Sequence, residues 1–81
     1  MDEHTRTRIE AASFRRLVAH LQERTDVRNP ELDRAAGFCR DRLAAWYSAA
    51  AHECGVQLAV DDARQRIYGM SRADWQRNFE R

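Results

Sequence analysis

The apolar residues between Pro30 and Gly55 recur at intervals of three and four: Leu32, Ala36, Cys39, Leu43, Trp46 and Ala50, with Tyr47 alongside. This is the period of a helix that buries one stripe, whereas a half-buried strand would alternate. Asn29-Pro30 is a start signal. An asparagine at the N-cap accepts an otherwise orphan amide, and a proline at the first helical position has no amide to leave unpaired. Gly55 supplies a left-handed stop. The pattern predicts one long second helix from Asn29 to about Cys54. Phe38, Ala45 and Ala49 form a second apolar strip on roughly the opposite side. A rod with two apolar faces is expected to be the centre of the fold or half of an oligomer interface. Gly37 inside it costs about 1 kcal/mol relative to alanine, for which close approach of another backbone is the natural reason.

The flanking segments read as helices too. The first is expected from Thr5 or Thr7 to about Arg24, with Thr7 and Glu10 as a capping box and Ala11, Phe14, Leu17, Val18 and Leu21 on one arc. His20 borders that arc, in a stripe with Ile9, Ser13 and Arg16. After Gly55, Val56 to Val60 is a loop or extended stretch. A third helix, capped by Asp61 or Asp62, ends near Tyr68-Gly69 and buries Ala63 and Ile67. Ser71 with Asp74 opens a last short helix, and Met70 and Trp75 hold the spacing of a hydrophobic staple. The expected fold class is all-α: a compact array of about four helices around a long central second helix, with residues 1–81 forming one helical domain.

Charge narrows the function classes. The basic residues are 14 arginines and no lysine against 13 acids, for a net charge of +1. Genomic base composition explains the arginine bias most simply. Interspersed signs give no long-range basic field, so no nucleic-acid partner is expected. No apolar run approaches the roughly 18 residues of a membrane span, so no membrane role is expected either. The polar start Met1-Asp2-Glu3-His4-Thr5 lacks a signal-peptide core, and a cytoplasmic address follows as the expectation. Cys39 and Cys54, on one helix, would stand about 22 Å apart along its axis. That is beyond disulfide reach, and reduced thiols suit the cytoplasm.

Two candidate sites emerge. His20, Asp26 and Cys39 are the residue types of a mixed metal site, zinc being the natural ion, although zinc usually takes four ligands. Arg16 and Arg40, near the junction of helices one and two, would complete an anion pocket, since forked guanidinium groups suit carboxylates and phosphates. The plainer readings are a buried cysteine acting as a small hydrophobe, a hydrogen-bonded histidine, a turn aspartate, and arginines paired with Glu23, Asp26, Asp33 and Asp41. The second candidate is an interaction surface made by Phe38, Arg42 and Trp46, because aromatic residues and arginine are enriched at protein interfaces. No phosphate loop, catalytic triad order or zinc-finger spacing occurs, and no catalytic residue is assigned.

The stretches Phe14-Arg15-Arg16-Leu17-Val18-Ala19-His20-Leu21, Arg24-Thr25-Asp26-Val27, Ala36-Gly37-Phe38-Cys39-Arg40, Trp46-Tyr47, Ala63-Arg64 and Ile67-Tyr68-Gly69-Met70, with Trp75 after them, resemble a family. It is the domain of unknown function numbered twelve forty-four, made up of short bacterial helical proteins. The resemblance implies a compact helical fold and a bacterial source, and it implies no activity. The family pattern carries a second cysteine three residues after the first. Arg42 stands there in this chain, so any Cys-x-x-Cys chemistry of relatives is closed to it. The reading that results is a small helical interaction or regulatory protein that binds a protein partner or itself as a homodimer. A metal- or anion-binding protein is the alternative.

Overall fold

The computed structural model describes residues 1–80, and all of its regular structure is helical. The order is α1 (Glu3–Glu23), α2 (Asn29–Ala36), α3 (Arg40–Glu53), α4 (Val60–Tyr68) and α5 (Arg72–Phe79). The all-α class is as expected, but the long second helix is divided. Gly37 takes a left-handed conformation (φ 77°) and ends α2, its amide donating to the Asp33 carbonyl. A left-handed residue cannot propagate a right-handed helix. Phe38 and the extended Cys39 then turn the chain, and Cys39 caps α3, its Sγ accepting the Arg42 amide at 3.4 Å. The three-and-four spacing runs across the break, but of that stripe only Leu43 is buried, with Leu32 and Cys39 half-buried and Ala36, Trp46 and Ala50 exposed. Cys39 and Cys54 cap opposite ends of α3 and are both free.

The hub is therefore α4, the nine-residue helix that packs on α3, α1 and α5. Its Ala63, Ile67 and Tyr68 are fully buried, joined by Leu21, Leu43, Ala44 and Trp75. Burying a side chain such as Ile67 contributes about 1.5–3 kcal/mol. Tyr68 and Trp75 meet edge to face at 5.2 Å, and Trp75 meets Phe79 likewise at 4.8 Å.

Several helix ends follow the sequence. Ser71 Oγ accepts the Asp74 amide at 3.1 Å. Gly55 and Val56 donate to His52 and Ala51, a Schellman stop. Others do not. Helix α1 begins earlier than expected, because Asp2, not Thr7, accepts the Thr5 amide at 2.7 Å. That bond draws the Asp2 carboxyl below the usual carboxylate range. Helix α4 begins at Val60 after Ala59, with no side-chain cap from Asp61 or Asp62.

The molecule is extended for its mass. Its accessible surface is 6021 Å² for 9.5 kDa; a folded monomer of that mass is expected to expose about 5,000 Å². The radius of gyration is 13.7 Å, against about 12 Å for a compact chain of this length. The excess traces to α1, which is 21 residues long yet exposed at every position from 3 to 13 except the half-buried Ala11. None of the described helices is long and apolar enough to cross a membrane.

Candidate functional site

Arg40, placed by sequence in an anion pocket, is the most buried charged residue, at 1% exposure. All five of its guanidinium N–H donors are engaged. Nε donates to the Leu21 carbonyl at 3.1 Å, and Nη2 to Leu21 at 2.8 Å and Arg24 at 2.7 Å. Nη1 donates to the Val27 carbonyl at 2.8 Å and to Asn29 Oδ1 at 3.2 Å. Its carbon Cζ lies 4.9 Å from the centroid of the Trp75 ring. Burial pushes its pKa below the ordinary arginine value, against the pull of Tyr68, Glu80 and Asp26. An arginine nevertheless keeps its proton in proteins. With every donor spent on the carbonyls at the end of α1 and in the following turn, or on the Asn29 side chain, Arg40 has none for a ligand anion. Its chemistry is that of a helix cap supplied from a distant segment.

Asn29 is redirected in the same way. Arg28 occupies the N-cap of α2, and the Asn29 side chain turns inward. Its Oδ1 also accepts the Arg40 amide at 3.2 Å, and its Nδ2 donates to the Tyr68 hydroxyl at 2.9 Å. Tyr68 donates in turn to Asp41 Oδ1 at 2.6 Å. Burial first, and this bond to a carboxylate second, push the Tyr68 hydroxyl well above the ordinary phenol range. Arg64 and Arg72 each approach Asp41 at 3.6 Å, and Arg72 forms a two-pronged pair with Glu80 at 3.0 Å. Three carboxylates, Asp41, Asp61 and Glu80, thus neutralise two arginines.

The remaining residues of the predicted pocket do not gather. His20 and Arg16 are exposed on α1. Asp26 is exposed and held below the usual carboxylate range by the fork of Arg24, whose two bonds are both 3.0 Å. Cys39 caps α3. Among the described residues no three His, Cys, Asp or Glu side chains are placed to share a metal ion. His20, Asp26 and Cys39 fail as a trio because the turn after α1 is organised around Arg40.

The three residues of the expected interaction surface, Phe38, Arg42 and Trp46, lie near one another. Trp46 is 53% exposed, and Phe38 stacks on it with ring centroids 6.3 Å apart. Arg42 is exposed beside them, paired with Asp33 at 3.4 Å. Sequence reading missed what lies next to this patch. The Phe14 and Tyr47 rings stack at 6.0 Å where α1 passes α3. On one side of that stack is a hollow of about 480 Å³ lined by Ala11, Phe14, Leu43, Trp46, Tyr47 and Ala50. On the other is one of about 500 Å³, where Arg15 and Arg66 join Ala11, Phe14, Val18 and Tyr47. The two form a groove along α1 and α3, apolar beside Trp46 and edged by arginine beside Val18. The visible signal was the pairing of Phe14 and Tyr47 with small residues, Ala11 and Ala50, one turn away.

No curated protein matches the chain. A family described as "Protein of unknown function (DUF1244)" matches residues 27–81. The matched span includes α2 to α5, and with them Arg40, Tyr68 and Trp46, while the resembling stretch from Phe14 to Leu21 lies before it. With most of its length inside the match, the chain belongs to this family of proteins of unknown function.

Proposed function

We propose that this protein is an interaction module whose working surface is the groove between α1 and α3, extended by Trp46 and Phe38. One observation carries the reading: the largest aromatic side chain on the surface, Trp46 at 53% exposure, lines a hollow walled wholly by apolar residues. An exposed tryptophan beside a hydrophobic hollow is the composition of an interface hot spot. A groove between two helices, lined by residues at helical spacing, suits the apolar stripe of a third helix. Arg42 supplies a charged rim. The two free thiols suit a reducing compartment, and we place the protein in the cytoplasm.

A photo-reactive amino acid at position 50, inside the groove, tests this in cells. Position 45, on the opposite side of α3, is the control. Discrete protein adducts at 50 and none at 45 are expected. Equal labelling at the two positions, or none at 50, would overturn the reading.

A further inference from the structure

We infer that the helix taken up by the groove is α1 of a second copy of this chain, giving an antiparallel α1–α1 dimer with a two-fold axis near Ala11. The inference rests on the groove being an interaction site and names its occupant.

Three observations support it. The first is area. The chain exposes about 1,000 Å² more than a compact monomer of its mass, close to the roughly 800 Å² that each partner buries in an ordinary stable interface. The second is geometry. Glu3, Thr7, Ala11, Phe14 and Val18 fall within about 80° of one another around α1, at intervals of four and three. The N-terminal part of this stripe is uncovered, and the C-terminal part is one wall of the groove. Donor and acceptor surfaces are therefore continuous on one helix and share Ala11. A two-fold axis there sets Phe14 of each copy over the small Thr7 of the other, which is the self-complementarity a closed dimer requires. The third is charge. The groove wall carries Arg15 and Arg66 and no carboxylate. Neither arginine has a carboxylate partner among the described residues, and neither does Glu3 at the far end of the donor stripe. Antiparallel packing carries Glu3 to the Arg15 and Arg66 end of the partner's groove, and it opposes the two helix dipoles favourably.

Sedimentation equilibrium of the full chain tests the dimer. The expected mass is twice the 9.5 kDa of the chain. Ala11→Glu, which sets two carboxylates against each other at the axis, is expected to weaken dimerisation about a hundredfold with helical content unchanged by circular dichroism. Glu3→Arg alone and Arg66→Glu alone are each expected to weaken it about tenfold, and the two together to restore it, because the pair occurs twice per dimer. A chain that is monomeric at about 1 mM, or a dimer indifferent to Ala11→Glu and to the charge swap, would overturn the inference. A monomer that still gives adducts with another protein at position 50 would overturn the second copy alone and leave the groove reading standing. A monomer with no adducts would overturn both.

Discussion

Two neighbouring regions of the molecule treat polarity in opposite ways. At the start of α3 an arginine is 1% exposed, and six residues further along the same helix a tryptophan is 53% exposed. Hydropathy alone would exchange them. Arg40 is inside because four acceptor atoms take up all five of its donors, so its burial leaves no N–H unsatisfied. Trp46 is outside because it lines the open hollow beside the Phe14–Tyr47 stack, which no helix among the described residues covers. Satisfied hydrogen bonds decide what goes in at the first site, and the shortage of covering helix decides what stays out at the second.

The largest effect that would break this contrast is at Arg40. Arg40→Met keeps the volume and the apolar stem but strips the carbonyls of Leu21, Arg24 and Val27 of their donor. It is expected to destabilise the fold by about 3–5 kcal/mol in urea titration. Arg40→Lys is expected to recover less than half of that, since a single ammonium cannot span three carbonyls and Asn29. Should Arg40→Met leave the midpoint unmoved, the buried guanidinium would be a passenger.

Tyr68→Phe comes next, at about 1–1.5 kcal/mol, from the loss of the bonds to Asn29 and Asp41. The sign of its pH dependence follows from the raised pKa. The folded state holds the phenol proton more tightly than the unfolded chain, so this stabilisation is complete below about pH 10 and declines as pH rises beyond it. Urea midpoints of wild type and Tyr68→Phe are expected to converge on the alkaline side. A constant gap between them would count against a buried, proton-bearing hydroxyl.

Gly37→Ala is expected to cost about 1 kcal/mol through the left-handed backbone alone, since a methyl group there meets nothing within 4 Å. Thermal melts would read it. Trp46→Ala is expected to change the stability of the dilute chain by no more than about 0.5 kcal/mol. A cost there as large as that at Tyr68 would mean Trp46 is holding the core together, and the contrast between the two sites would collapse.

What the sequence made legible was period and punctuation. Helical class, the Ser71 cap and the Gly55 and Gly69 stops rest on contacts within a few residues, where local chemistry is decisive, and the burial of Ala63 and Ile67 was readable from their helical spacing. The break at Gly37 was hidden by the unbroken apolar spacing from Leu32 to Ala50. A glycine followed by an acid in the next helical turn, Asp41, was the available clue. The roles of Arg40 and Asn29 were not legible, because their partners lie 11 to 39 residues away and only the folded turn brings them together. Asn29-Pro30 marked a helix start correctly, yet the asparagine was needed elsewhere. Of the residues singled out as candidates, Phe38, Arg42 and Trp46 share a surface, whereas His20, Asp26 and Cys39 were grouped by proximity in sequence to a turn whose shape Arg40 sets.

The long-distance cap on α1 also has a mechanical side. Helix α1 is not an arm swinging on a flexible joint, since its last turn and the strap after it are clenched by one side chain rooted at the start of α3, with an indole ring of α5 pressed against it. A pull or twist applied along α1 from outside is therefore delivered to the interior through that fastening, together with buried Leu21 and the bond from Gln22 to the Ile67 carbonyl. Whatever grips α1 takes hold of the whole body.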